Sequence, residues 1–158
     1  MREILFRGFR EDKDGKEKVF YNGAWHNGEW AEGCYFMAKD NKYNILHCIS
    51  EIKGEKIFKV VPETVGQYTG LLDKNKKKIF TNDVVKCVSP LNNINYIGVV
   101  KFGEYKTNGH HSHCGFYVKW ISNKHGARFI EKSLSYLCHI DLEVIGNIHS
   151  NPEILEVE

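Results

Sequence analysis

Apolar and β-branched residues recur along this chain in short runs. Ile4-Leu5-Phe6, Val19-Phe20-Tyr21, Ile45-Leu46-His47-Cys48-Ile49, Ile57-Phe58-Lys59-Val60-Val61, Val84-Val85-Lys86-Cys87-Val88, Tyr96-Ile97-Gly98-Val99-Val100-Lys101-Phe102 and Phe116-Tyr117-Val118-Lys119-Trp120-Ile121 are separated by charged or turn-forming segments. Runs of this length between turn signals predict strands. The first two, joined across the charged segment with Asp14-Gly15, predict a hairpin, since Asp-Gly supplies a positive φ. Asn22-Gly23 and Asn27-Gly28 predict further corners on either side of Trp25. Two short strands are expected around the polar turn Lys39-Asp40-Asn41-Lys42, and another hairpin around Lys53-Gly54.

The stretch from Val60 to Val85 is the most distinctive. Pro62 ends the preceding strand because it has no ladder donor. Gly66 and Gly70 punctuate a strand, Asp73 to Lys78 forms a charged hairpin tip, and Asn82-Asp83 turns the chain into the next strand. Asp83 is expected to cap backbone amides at that corner. Farther on, the connection from Glu104 to Gly115 is long for a hairpin, which marks a functional or mobile loop. Phe129, Ile130, Leu134 and Leu137 have near-helical spacing, so a short helix is expected within Ala127 to Leu137. Val144-Ile145-Gly146-Asn147-Ile148 reads as a closing strand, with Gly146 a structural turn position, and Asn151-Pro152 leads into a tail.

The predicted class is therefore mainly β with minor α. An N-terminal β-hairpin lobe over 1–70 precedes a small SH3-like β-barrel with a tail over 71–158; both belong to one compact unit in the alternative organisation. Closure into a barrel would remove the exposed edges of strands rich in valine and isoleucine. A chain of 158 residues suffices for a true hydrophobic core. Its 13% aromatic content, interleaved with β-branched residues, agrees with strands.

Formal net charge is +2, too small for the field of the whole molecule to imply nucleic acid. Five cysteines, Cys34, Cys48, Cys87, Cys114 and Cys138, are odd in number and form no CxxC pair. They are read as reduced thiols buried as small apolar groups. With no apolar run near the roughly 20 residues of a membrane span and no charged-then-apolar leader, the expectation is a cytoplasmic protein without a membrane partner.

Candidate chemistry is sparse. His110-His111-Ser112-His113-Cys114 concentrates imidazole and thiolate, the usual ligands of zinc or nickel, and makes His110, His113 and Cys114 metal candidates. Against this, neighbours in an extended chain point to opposite faces, so a solvated histidine-rich loop remains the other reading. A catalytic cysteine would pair Cys114 with His113 or Cys138 with His139, yet sequence neighbours rarely meet side chain to side chain. No enzyme and no cofactor is expected. Lys74, Lys77, Lys86, Lys101 and Lys119, with Tyr117 and Trp120 among them, are nucleic-acid candidates, because phosphate attracts cations and bases stack on exposed rings. The same lysines equally suit a solvated, edge-protecting face.

Three blocks carry a resemblance: Arg2-Glu3-Ile4-Leu5-Phe6-Arg7-Gly8, Pro62-Glu63-Thr64-Val65-Gly66-Gln67-Tyr68-Thr69-Gly70-Leu71, and Glu143-Val144-Ile145-Gly146-Asn147-Ile148 with Asn151-Pro152-Glu153. In this order, across nearly the whole chain, they resemble the YopX family of bacteriophage and prophage proteins. The resemblance implies a lineage in a bacterial host and no particular reaction or metal. It also implies glycine where this chain has Asn82 and Lys76. Asparagine is the best substitute at a left-handed position, whereas lysine is costly there, so Asn75 is expected to take that conformation with the loop shifted by one residue. The function expected from all this is a binding module for a host or phage protein, or for a second copy of itself, with nucleic-acid binding as the alternative.

Overall fold

The structure, a computed structural model, describes residues 4–11, 17–21, 24–52, 56–88, 95–106, 111–121, 132–137 and 141–156. It is mainly β, and the chain falls into two compact units, Met1–Tyr68 and Thr69–Glu158.

In the first unit, β1 (Phe6–Phe9), β4 (Trp30–Lys39), β5 (Ile45–Ser50) and β6 (Ile57–Lys59) make an antiparallel sheet in the order β6-β5-β4-β1. The start of β7 (Gly66–Leu72) lies beside β1, pairing Gln67 with Phe6 and Gly66 with Arg7. A separate hairpin joins β2 (Glu17–Tyr21) and β3 (Ala24–Gly28). This corrects the expected pairing of the first two runs. Because Tyr21 pairs with Ala24, only Asn22 and Gly23 lie between the strands, and an Asn-Gly pair closes a hairpin at a shorter length than the charged segment before β2. Asn27-Gly28 is likewise no corner; both residues belong to β3.

The sheet of this unit is packed on both faces. Ala31, Ile49 and Val60 are buried with Phe6, Tyr35, Phe58 and Val65 on one; Phe9 and Val61 are buried with Trp30 on the other, under the Arg7 guanidinium. Gly33 is needed for the approach of β5, since a Cβ there would sit 1.8 Å from the Ser50 carbonyl oxygen. The turn from β4 to β5 is built on Asp40, whose carboxylate accepts from the amides of Lys42 and Asn44 and from the Asn44 side chain. Those bonds, led by the Asn44 side chain, hold the Asp40 carboxyl below its usual range. Pro62 opens a 3-10 turn through Thr64, where its missing donor costs nothing. Thr64 is buried; its hydroxyl accepts from the Phe9 amide at 2.9 Å and donates to the Val61 carbonyl at 2.7 Å.

In the second unit the remainder of β7 forms a hairpin with β8 (Lys78–Phe80), and β9 (Asp83–Val88), β10 (Asn95–Lys106), β11 (Ser112–Trp120), β12 (Lys132–Ser133) and β13 (Glu143–Asn147) form a five-stranded sheet in the order β12-β11-β10-β9-β13. One face buries Val85, Cys87, Val100, Val118 and Val144 with Ile79, Leu134, Leu137 and Leu142. Leu134–Leu137 is a single helical turn, α1; the rest of the expected helix, 127–131, lies outside the described residues, apart from Lys132–Ser133, which are strand.

The sheet is not closed into the expected SH3-like barrel. At the β13 edge the Val144 amide donates to the Asp73 carboxylate at 3.0 Å, and the Leu142 carbonyl accepts from the Lys74 amide at 2.9 Å. A turn, not another strand, thus occupies those ladder positions. Cys48 and Cys87 are buried free thiols as expected, but Cys34 and Cys114 are exposed free thiols; Cys138 lies outside the described residues.

Candidate functional site

The turn residues of the second unit converge on one structural joint. Asn82 has φ +70° and Gly70 φ +82°. The Asn82 amide donates to the Val100 carbonyl and its own carbonyl accepts from the Ile148 amide. Asp83 is fully buried; its carboxylate accepts from the Phe80 amide at 2.8 Å and from the Asn147 side-chain amide at 3.3 Å. Gly146 follows the register shift in β13, where a Cβ would come within 2.7 Å of Asn151 Oδ1. Gly66 is buried at the start of β7 in the first unit. At the hairpin tip the left-handed residue is Lys76, φ +64°, and not Asn75. Asp73 fixes that loop by accepting from the amides of Asn75 and Lys77, both at 2.8 Å. A five-residue turn bonded twice to one carboxylate has no freedom to move its left-handed position.

Of the metal candidates, the two described ones, His113 and Cys114, do not converge. The β10–β11 ladder continues to the pair Lys106 and Ser112, so most of the expected Glu104 to Gly115 loop is paired strand. His113 lies opposite Tyr105 and Cys114 opposite Glu104, which directs their side chains to opposite faces of the hairpin. The His113 ring stacks on Tyr105 at 5.4 Å. His110 lies outside the described residues, as do Cys138 and His139. Among the described residues no three His, Cys, Asp or Glu side chains gather where an ion would fit.

The lysines divide. Lys74 binds Glu143 at 2.6 Å; this bond raises the Lys74 ammonium and lowers the Glu143 carboxyl from their ordinary values. Lys77 is exposed at the hairpin tip. Lys86 stands between Ile97 and Glu143 in the ladder, Lys119 opposite Val99, and Lys101 opposite Tyr117. Strand alternation puts Lys86, Lys101 and Lys119 on one face, opposite the apolar core. Val84 and Val99 on that same face are buried while Lys119 is exposed, so the face is open only in part. Lys101 is half-buried, its Nζ 3.3 Å from Asn82 Oδ1. Burial, then the neighbouring charge of Lys119, lowers its ammonium. Tyr117 stacks on Tyr105 at 5.1 Å. Trp120 belongs to the other face, packed against the core.

One surface escaped the sequence reading. On β4 and β5 the core-facing positions Tyr35 and Ile49 continue outward to Met37 and Ile45, which are 65% and 61% exposed. Tyr43 in the adjoining turn is 82% exposed with φ +63°. Between core and tip the Tyr35 hydroxyl and His47 Nδ1 share a 2.5 Å hydrogen bond. The signal was present in the alternation itself, which stays apolar beyond the last residue the core needs.

Among the described residues no helix is long and apolar enough to cross a membrane. The family model described as YopX protein matches residues 6–156. No curated protein matches the chain.

Proposed function

The chain belongs to the YopX family, and from that premise we propose that it is a non-enzymatic module of a phage or prophage that binds a protein partner or a second copy of itself in the bacterial cytoplasm. The observation that carries this reading is the apolar tip of the first unit, where Met37, Tyr43 and Ile45 are all more than 60% exposed. Single exposed apolar residues are ordinary, but three together at one hairpin tip suit a partner. Methionine adapts to irregular surfaces. The polar groups support a non-catalytic role: Asp73 and Asp83 accept backbone amides, and His113 and Cys114 face apart.

The test is the double variant Met37→Glu, Ile45→Glu. Wild type is expected to self-associate with rising concentration in sedimentation, or to retain a discrete partner from phage-infected cells, and the variant to lose that behaviour with its melting temperature held. Equal behaviour of the two proteins, or a monomeric wild type that retains nothing, would overturn the reading.

A second reading has its own observation. Lys86, Lys101 and Lys119, scattered in sequence, share one sheet face with Tyr117, a pattern that suits a phosphate backbone with stacked bases. Nucleic-acid binding would fall steeply with salt, whereas binding through the apolar tip would not.

A further inference from the structure

The turn between β4 and β5 displays a large side chain at a strained position. Tyr43 has φ +63°, a conformation costly for a bulky residue. Asn44 follows it and would adopt that conformation more readily, but Asp40 locks the turn one residue earlier. The Asp40 amide donates to the Asn44 carbonyl and the Tyr43 amide to the Asp40 carbonyl, both at 3.0 Å, while the Asp40 carboxylate holds the amides of Lys42 and Asn44. Asp73 makes the same set of bonds at the other hairpin tip and there sets Lys76 at φ +64°. The lock chooses the left-handed position, and the sequence chooses what stands on it. At Asp40 that is a tyrosine 82% exposed.

Charge frames the apolar residues around this ring. The described ladder of β1 on β4 ends at Gly33 and that of β6 on β5 at Cys48. Met37 and Ile45 lie outward of both. Lys39 stands directly opposite Ile45, and strand alternation puts it on the same face as Met37. Lys42 belongs to the turn itself, and both lysines are exposed. Residues 34–47 contain one carboxylate, Asp40. Both of its oxygens are engaged within the turn, one by the two amides and the other by the Asn44 side chain at 2.9 Å. The tip thus presents an apolar centre with ammonium groups at its rim, while its own acid is committed to the backbone.

From this arrangement we infer that the tip takes an acidic, apolar segment of another protein, with large apolar side chains against Met37, Tyr43 and Ile45 and carboxylates against Lys39 and Lys42. The inference rests on the apolar-tip reading and narrows it to a partner of stated chemistry. A second copy of the chain fits poorly, because a two-fold pairing of tips would gather the lysines of both copies around one small patch. A nucleic acid would meet the lysines, but the aliphatic side chains of Met37 and Ile45 offer its bases no ring to stack on.

The experiment selects short random peptides displayed on yeast against the full-length protein and measures the selected ones by fluorescence anisotropy, with oligothymidylate as a competitor. Selected peptides should combine Asp or Glu with Leu, Phe or Trp, and Met37→Glu, Ile45→Glu should abolish their binding. The double variant Lys39→Gln, Lys42→Gln should slow association about tenfold and flatten its salt dependence. Tyr43→Gly should raise the urea midpoint by relieving the left-handed backbone and yet weaken binding about tenfold, a combination that a purely structural role for the ring would not give. Peptides that need Met37 and Ile45 but carry no excess of acid, or that ignore the lysine variant, would overturn the inference and leave the apolar-tip reading standing. Self-association lost in Met37→Glu, Ile45→Glu would do the same, by giving the tip to a second copy. Oligothymidylate that displaces the peptides and binds this variant as it binds wild type would overturn the inference in favour of nucleic acid. If peptides bind wild type and Met37→Glu, Ile45→Glu alike, or none is selected and the protein stays monomeric, inference and reading fall together. Matching melting temperatures for the glutamate and glutamine variants separate lost contacts from lost folding.

Discussion

Asn82 and Lys76 are both left-handed, at φ +70° and +64°, and only one of them suits that conformation. Asparagine tolerates it through its short polar side chain, whereas a longer side chain meets steric cost with no compensating local bond. The sequence locates the Asn82 corner because Asn-Asp is itself a turn signal. It misplaces the strain at the hairpin tip because the left-handed residue there is chosen by Asp73, whose carboxylate binds the amides of Asn75 and Lys77 and so fixes Lys76 between them. Lys76 is exposed. Lys76→Gly should therefore raise stability by about 1 kcal/mol, read as a higher urea midpoint at unchanged slope. A lower midpoint would mean that the lysine side chain contributes more than its backbone costs.

At the scale of elements, local turn chemistry and long-range pairing compete. The strands themselves are legible, since their apolar runs are short and bounded by corners. Their partners are less so: β1 pairs with β4, while β2 closes on β3 through the shorter Asn-Gly connection. Glu104 to Gly115 reads as loop because its residues are polar, yet the Tyr105–His113 and Tyr105–Tyr117 stacks carry the ladder outward beyond the apolar run. At the opposite edge, Asp73 is a stopper for β13. Asp73→Ala removes the acceptor of the Val144 amide together with those of Asn75 and Lys77. It should cost about 3 kcal/mol by chemical denaturation, and Asp73→Asn, which retains one acceptor oxygen, should cost less. A neutral result for alanine would show that another group satisfies the edge of β13.

For the whole molecule, stability against pH reports the exposed pair of Lys74 with Glu143. The bond lowers the Glu143 carboxyl from 4.5, so its contribution is present above that value and is lost as pH falls through the folded pKa. It raises the Lys74 ammonium from 10.5, so its contribution is present below that value and is lost as pH rises through the folded pKa. The melting-temperature difference between wild type and Lys74→Met should accordingly form a plateau at neutral pH and shrink at both extremes. A difference independent of pH would assign the effect to packing of the lysine stem.

By itself the sequence determines that this protein is mainly β, where most of its strands lie and that Asn82-Asp83 makes a corner, because strand periodicity and turn chemistry act between residues close in the chain. Its three blocks likewise carry the resemblance to YopX that the family match over residues 6–156 supports. Only the tertiary structure decides which strands become neighbours. That pairing sends His113 and Cys114 apart, brings Lys101 beside Lys119, and leaves Met37 and Ile45 exposed beyond the core. It also holds the five-stranded sheet open, since an aspartate far away in sequence occupies the edge of β13. Such outcomes depend on register, and a shift of one residue would reverse every face.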